Sequence, residues 1–205
     1  MNFNNRKDFV YLTLAGFFVT NAIIGELIGG KLIQMGPFAM SMGVLPWPIV
    51  LIVTDLINEH FGKEGVKKLT YLTMGLIAYA FVILFAAMQV PAAGFSPVKD
   101  EMFNGVFGQS LWIIVGSIIA FAGSQLLDVT VFTYIKSKTK NRFLWLRTAG
   151  STAISQMFDS FAIVGIAFWL PGAIKTNEFL NVAATNYSYK FIMAIGTIPL
   201  IYIAH

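Results

Sequence analysis

Residues 110–135 read SLWIIVGSIIAFAGSQLLDVTVFTYI, and this run decides the fold. It carries one charge, Asp128, in a stretch otherwise almost wholly apolar. A helix needs about 20 mostly apolar residues to cross a bilayer. An acid within hydrocarbon costs roughly 2.5–3.5 kcal/mol on insertion scales. The same polar cluster occurs twice, as Ser124-Gln125-Leu126-Leu127-Asp128 and as Ser155-Gln156-Met157-Phe158-Asp159. A Gln three residues before an Asp lies on the same helical face. Two such faces can point at one cavity, and a cavity lined by acids and amides holds a polar solute.

Other uncharged runs occur at Phe9–Gly25, Leu32–Thr54, Leu69–Val98 and Phe191–Ala204. The chain of 205 residues is 57% hydrophobic and 12% charged, against about 25% charged in soluble domains. It therefore reads as an all-α, polytopic integral membrane protein with a single domain over residues 1–205. The lipid bilayer is its first expected partner. The first apolar run is too long for a cleaved signal peptide and lacks a small-residue cleavage pattern. There is no Cys, which removes disulfide and thiol chemistry. The net charge of +4 calls for no nucleic-acid partner, because the basic residues fall in loops expected to face the cytoplasm.

Six transmembrane helices are predicted near 9–33, 44–61, 68–91, 110–135, 147–170 and 189–204. Ten basic residues fall on one set of connections: Arg6, Lys7, Lys63, Lys67, Lys68, Lys136, Lys138, Lys140, Arg142 and Arg147. The other set has Lys31, Lys99, Lys175 and Lys190. The positive-inside rule then places both termini in the cytoplasm of a bacterial cell membrane. Helix two is short or broken, because Gly36, Pro37, Gly43, Pro46 and Pro48 interrupt what precedes it. Either residues 36–47 enter the membrane as irregular backbone lining a cavity, or a short helix tilts in thinned lipid.

The acids inside predicted helices are Glu26, Asp55, Glu59, Asp128 and Asp159, with the amides Asn21, Asn58, Gln125 and Gln156. Asp55, Asn58 and Glu59 share one face. The candidate solute-binding set is Asp55, Asn58, Gln125, Asp128, Gln156 and Asp159. Asn21, Glu26, Trp47, Glu59, Arg147, Ser151 and Ser155 form a secondary set. Glu59, near the cytoplasmic end, suits an interfacial acid paired with Arg147 or Lys63. Gly25-x-x-x-Gly29 serves helix packing, a dimer face or backbone approach to a solute. Trp112, Trp145 and Trp169 suit an interfacial belt; Trp47 suits either that belt or a stacking surface.

No metal site or cofactor is expected. The two His, His60 and His205, lie apart, and the Gln partners favour an organic solute over a hard cation. No phosphate loop and no Ser-His-Asp or Cys-His set is present, so the chain is not expected to be an enzyme.

Three stretches then resemble a known family. Thr54-Asp55-Leu56-Ile57-Asn58-Glu59-His60-Phe61-Gly62-Lys63, preceded by Pro46-Trp47-Pro48, resembles one signature of the queuosine precursor transporters, also called the vitamin uptake transporter family. Ser124 to Val129 with Phe132 resembles the second. Trp145-Leu146-Arg147-Thr148, Gly150-Ser151-Thr152, Ser155-Gln156 and Asp159-Ser160 resemble the third. The resemblance covers nearly the whole chain. It implies six transmembrane helices and uptake of 7-cyano-7-deazaguanine, or its aminomethyl counterpart, for tRNA queuosine salvage. A guanine-like edge presents a ring N–H beside an exocyclic amine, which one carboxylate accepts together. A second, protonatable acid would couple transport to a proton gradient. Two rivals remain: a substrate-binding membrane subunit that needs a separate energising complex, and a cation carrier. A homodimer is one assembly this reading allows, since six short helices offer little surface for a gated path; sequence does not fix the oligomeric state.

Overall fold

The computed structural model describes residues 6–108, 111–140 and 142–204. Ser110, the expected start of helix four, and His205 lie outside them. Helix α1 (Arg6–Gly29) leads into a hairpin of β1 (Leu32–Met35) and β2 (Phe38–Ser41). A 3₁₀ turn, Met42–Val44, precedes α2 (Trp47–Met88). Then come α3 (Asp100–Phe107), α4 (Leu111–Lys138), α5 (Leu144–Val164), a π-helical turn at Gly165–Trp169, and α6 (Thr176–Ala204).

The hairpin is the exception to the all-helical expectation, and it ends α1 at Gly29 rather than at 33. Leu32 pairs with Ser41 and Met35 with Phe38 across it. Its two-residue turn has Gly36 at φ 60°, followed by Pro37. A type II′ turn needs positive φ at the first central residue, which glycine supplies. Pro48 sits in the first turn of α2, where a missing N–H costs nothing.

Helices two and three of the sequence prediction are present as two helical halves that meet at a sharp kink at Gly62, with φ 72° and ψ −179°, and are labelled together as α2. Residues 63–67 are helical rather than a loop. Lysine is a good helix former, so the charge there does not break the helix. Helix α6 starts at Thr176, not at 189. Glu178 Oε2 accepts the Lys175 N–H at 2.7 Å, half of a capping box. The short α3 was not anticipated from sequence.

Among the described residues, four stretches have the length and apolar content to cross a membrane: Lys7–Gly29, Met42–Met88, Asp100–Lys138 and Leu144–Trp169. Phe9, Phe17, Tyr79 and Phe85 point outward and stay exposed, whereas polar side chains fill much of the interior. Phe18 of α1, Ile57 and Leu69 from the two halves of α2, and Phe121 of α4 share one apolar cluster. The architecture is that of a helical, multi-pass membrane protein.

Tyr11 Oη donates to Gly65 O at 2.9 Å, so the start of α1 lies beside the Gly62 corner. Lys136 of α4 reaches Glu59 just before that corner. The basic segments near residues 7, 63–68 and 136 therefore gather at one end. The hairpin is fastened to α6 by side chains. Ala39 N–H donates to Asn181 Oδ1 and Ser41 N–H to Asn186 Oδ1, each at 3.0 Å. Asn181 Nδ2 returns a bond to Pro37 O at 3.1 Å.

Two charges assigned to loops from sequence lie inside the bundle. Arg147 is 1% exposed and Lys190 is 2% exposed. Removing both leaves nine basic residues against three, so the asymmetry persists.

Candidate functional site

Gly25 and Gly29 recur every four residues on α1, and the backbone of Gly43 lies against them. A Cβ at Gly43 would sit 2.7 Å from Gly25 O and 2.9 Å from Gly29 Cα. The small-residue stripe thus packs within the chain and draws the 3₁₀ turn into the bundle. Behind this contact is a cavity lined by Asn21, Glu26, Ser41, Trp47, Ser117, Asp159, Asn186 and Lys190, among others. Its water-accessible volume is about 50 Å³, room for a few waters.

Asp159 lines this cavity beside Glu26 and is 2% exposed. Its Oδ2 forms a close ion pair with Lys190 Nζ. Its Oδ1 accepts the Ser124 hydroxyl at 3.1 Å. Lys190 Nζ also lies 4.1 Å from the centroid of the Trp47 ring, a cation–π contact. Trp47 leans on Phe121 with ring centroids 6.2 Å apart. Glu26 sits beside Ser117, within electrostatic reach of both Asp159 and Lys190. Sequence reasoning missed Lys190, because it treated this residue as a loop charge. The available signal was position: Asn186 and Lys190 are one helical turn apart, on the face that meets the hairpin.

The doubled motif forms a reciprocal lock. Ser124 of α4 donates to Asp159 of α5, and Ser155 of α5 donates to Asp128 of α4 at 3.0 Å. The helices pack closely here, with Gly123 facing the Phe158 ring. The two acids do not share one cavity. Asp159 faces the cavity, whereas Asp128 faces a deeper seam with α2.

That seam collects most of the other primary candidates. Asp55, Gln125 and Asp128 meet between α2, α4 and α5; Asn58 and Gln156 are also buried, and none of the five lines the cavity. Gln125 Oε1 accepts the Thr54 hydroxyl at 3.3 Å. Asp55 lies within electrostatic reach of Asp128, Arg147 and Glu59. Ser151 lies beside Asp128. Among the described residues, Asp55 Oδ1, Asn58 Nδ2, both amide atoms of Gln156 and Ser160 Oγ have no hydrogen-bond partner. A buried polar atom left unpaired costs about 1–3 kcal/mol, so these groups call for partners from water or a solute.

Glu59 closes the seam at the basic end. It pairs with Lys136 at 3.1 Å and with Arg147 Nη2 at 3.3 Å. The guanidinium of Arg147 also lies 5.5 Å from the Phe132 ring centroid. Glu59 and Arg147 therefore form a buried ion-pair network below the polar seam, not part of the cavity wall.

An apolar exterior around a polar cavity and a polar seam marks an integral membrane protein with a polar interior. The family described as "Putative vitamin uptake transporter" matches residues 41–204. The chain is 30% identical over 176 residues to the "Probable queuosine precursor transporter" of Bacillus subtilis (strain 168), covering 85% of this chain and 75% of that protein. It is 28% identical over 162 residues to the "Queuosine precursor transporter" of Escherichia coli (strain K12), covering 77% and 69%. No solved structure is a significant match. The chain belongs to this vitamin uptake (queuosine precursor) transporter family, and its role is transport rather than catalysis.

Proposed function

We propose that this transporter imports a 7-deazaguanine precursor of queuosine, 7-cyano-7-deazaguanine or its aminomethyl counterpart, across the bacterial plasma membrane. The observation that carries this reading is the pairing of a buried carboxylate, Asp159, with an aromatic face, Trp47, in one cavity. A planar base stacks on the indole while its ring N–H and exocyclic amine donate to the carboxylate. Asn186 accepts Ser41 N–H through Oδ1, which leaves its amide N–H groups for the ring carbonyl. The names of the two relatives supply the substrate class.

From the cavity the path continues to Gln156 and Ser160, which flank Asp159 on α5, and then to Asn58 and Asp55 on α2. Their unpaired atoms are the next donors and acceptors the base would meet. The cavity holds Glu26 and Asp159 against the Lys190 ammonium, so a proton on one acid would complete the balance. Exchange of that proton would couple uptake to a proton gradient.

The chain is one domain with six crossings and both termini cytoplasmic. Helix α2 has 42 residues, about 63 Å at 1.5 Å each, roughly twice the hydrocarbon thickness. Folded back at Gly62 it supplies two crossings, and α1, α4, α5 and α6 supply the rest. Uptake of 7-cyano-7-deazaguanine into liposomes containing only the purified chain, with guanine as control, tests the proposal. Saturable uptake selective over guanine is expected. Binding without net transport would point instead to a subunit awaiting an energising complex, and no binding would overturn the substrate.

A further inference from the structure

We propose, resting on the substrate reading above, that Lys190 is a tethered stand-in for the substrate. In the empty carrier its ammonium holds the two contacts the base requires, and the base enters by displacing it from Asp159 toward Glu26.

Lys190 Nζ occupies one oxygen of Asp159 and lies over the Trp47 ring. Ser124 holds the other carboxylate oxygen. A guanine-like base needs that carboxylate and that ring face, so the base and the ammonium compete for the same ground. The remaining volume, about 50 Å³, takes a few waters and no bicyclic ring alongside the lysine.

A buried ammonium is costly without a counter-charge, so displacement needs a destination. Glu26 lines the same cavity, within electrostatic reach of Lys190. The four-carbon stem of lysine is flexible and its charge is a compact point, which suits transfer between two acceptors. The transfer takes place with both acids ionised, and a neutral base then adds no charge to the cavity. The ammonium passes from Asp159 to Glu26, and the two N–H groups of the base replace it at Asp159.

The opposing view is that Lys190 only ties α6 to α5. The two views separate in a protein whose Trp112, Trp145 and Trp169 are replaced by Phe, so that Trp47 alone emits. The purified carrier is titrated with 7-cyano-7-deazaguanine and followed by calorimetry and by Trp47 emission. Emission is expected to change in step with the heat of binding. Lys190→Met is expected to bind about tenfold more tightly, since the internal competitor is gone. Glu26→Gln is expected to bind about tenfold more weakly, because the ammonium loses its second acceptor.

Heat of binding with unchanged Trp47 emission overturns displacement and leaves the substrate reading standing. So does a folded Lys190→Met that binds no more tightly than the parent. If Lys190→Met does not fold, parental affinity in Glu26→Gln overturns the proposal. No heat from the parent with either deazaguanine overturns the substrate reading, and displacement with it.

Discussion

Replacing Gly43 by Ala tests the close approach of the 3₁₀ turn to α1. The added methyl would lie 2.7 Å from one backbone atom of α1 and 2.9 Å from another. Neither neighbour is a flexible side chain that can swing away. Carbon contacts are optimal near 3.5–4.0 Å, so turn and helix must part by roughly 0.5–1 Å. Overpacking of this kind costs about 1–3 kcal/mol. Gly25→Ala meets its nearest atoms at 3.2 and 3.3 Å, so its cost should fall at the low end. Gly16 on α1 has nothing within 4 Å, and Gly16→Ala should be neutral or stabilising by about 0.5–1 kcal/mol. Thermal unfolding in detergent, with uptake in liposomes, measures the series. The order of midpoints should be Gly16→Ala highest, then Gly25→Ala, then Gly43→Ala. Because Gly43 lines the cavity, its variant should also lose uptake among molecules that remain folded. A Gly43→Ala protein that melts with Gly16→Ala and transports at the parental rate would refute the packing and the cavity wall together.

Asp159→Asn and Asp128→Asn should each abolish precursor uptake while the protein stays folded in the membrane; normal uptake by both well-expressed variants would sink the assignment of these acids to the transport path. Glu59→Gln should cost about 3–5 kcal/mol, because it leaves the Arg147 guanidinium buried without its carboxylate; Glu59→Gln combined with Arg147→Met should recover most of that loss in the same melting assay. Asn181→Ala removes two bonds between the hairpin and α6, so amide exchange at Ala39 should accelerate while exchange within α4 stays unchanged.

Much of this architecture was legible in sequence. Length of apolar run placed α1, α4 and α5 within a few residues, because a lipid-facing exterior leaves little else to signal. The proline and glycine cluster at 36–48 marked an irregular entry to α2, and Ser41, Gly43 and Val44 there line the cavity. The hairpin itself was not legible, since four-residue strands give no periodicity to read. Helix α6 was cut short because its first half is rich in Asn and carries Lys190, features that resemble a loop until α6 is packed against the hairpin and α5. The deepest error was in charge. Arg147 and Lys190 count as loop residues by the positive-inside rule, yet each is buried beside an acid distant in sequence. The motif acids were visible, but their division between a cavity and a seam depends on rotation of α4 against α5, which spacing does not encode.

The reciprocal Ser124–Asp159 and Ser155–Asp128 bonds are alike in length and in chemistry. Their surroundings differ: one acid meets Lys190 and Trp47, the other meets Asp55 and Ser151. A near-symmetric fastening thus joins two unlike environments, both of which lie on the proposed path of the solute. Vectorial movement requires that entry and exit be chemically distinguishable. Here the chemical difference comes from what α2 and α6 bring to each end of the clasp, so under the proposed function direction would be set by those neighbouring helices and not by the clasp itself.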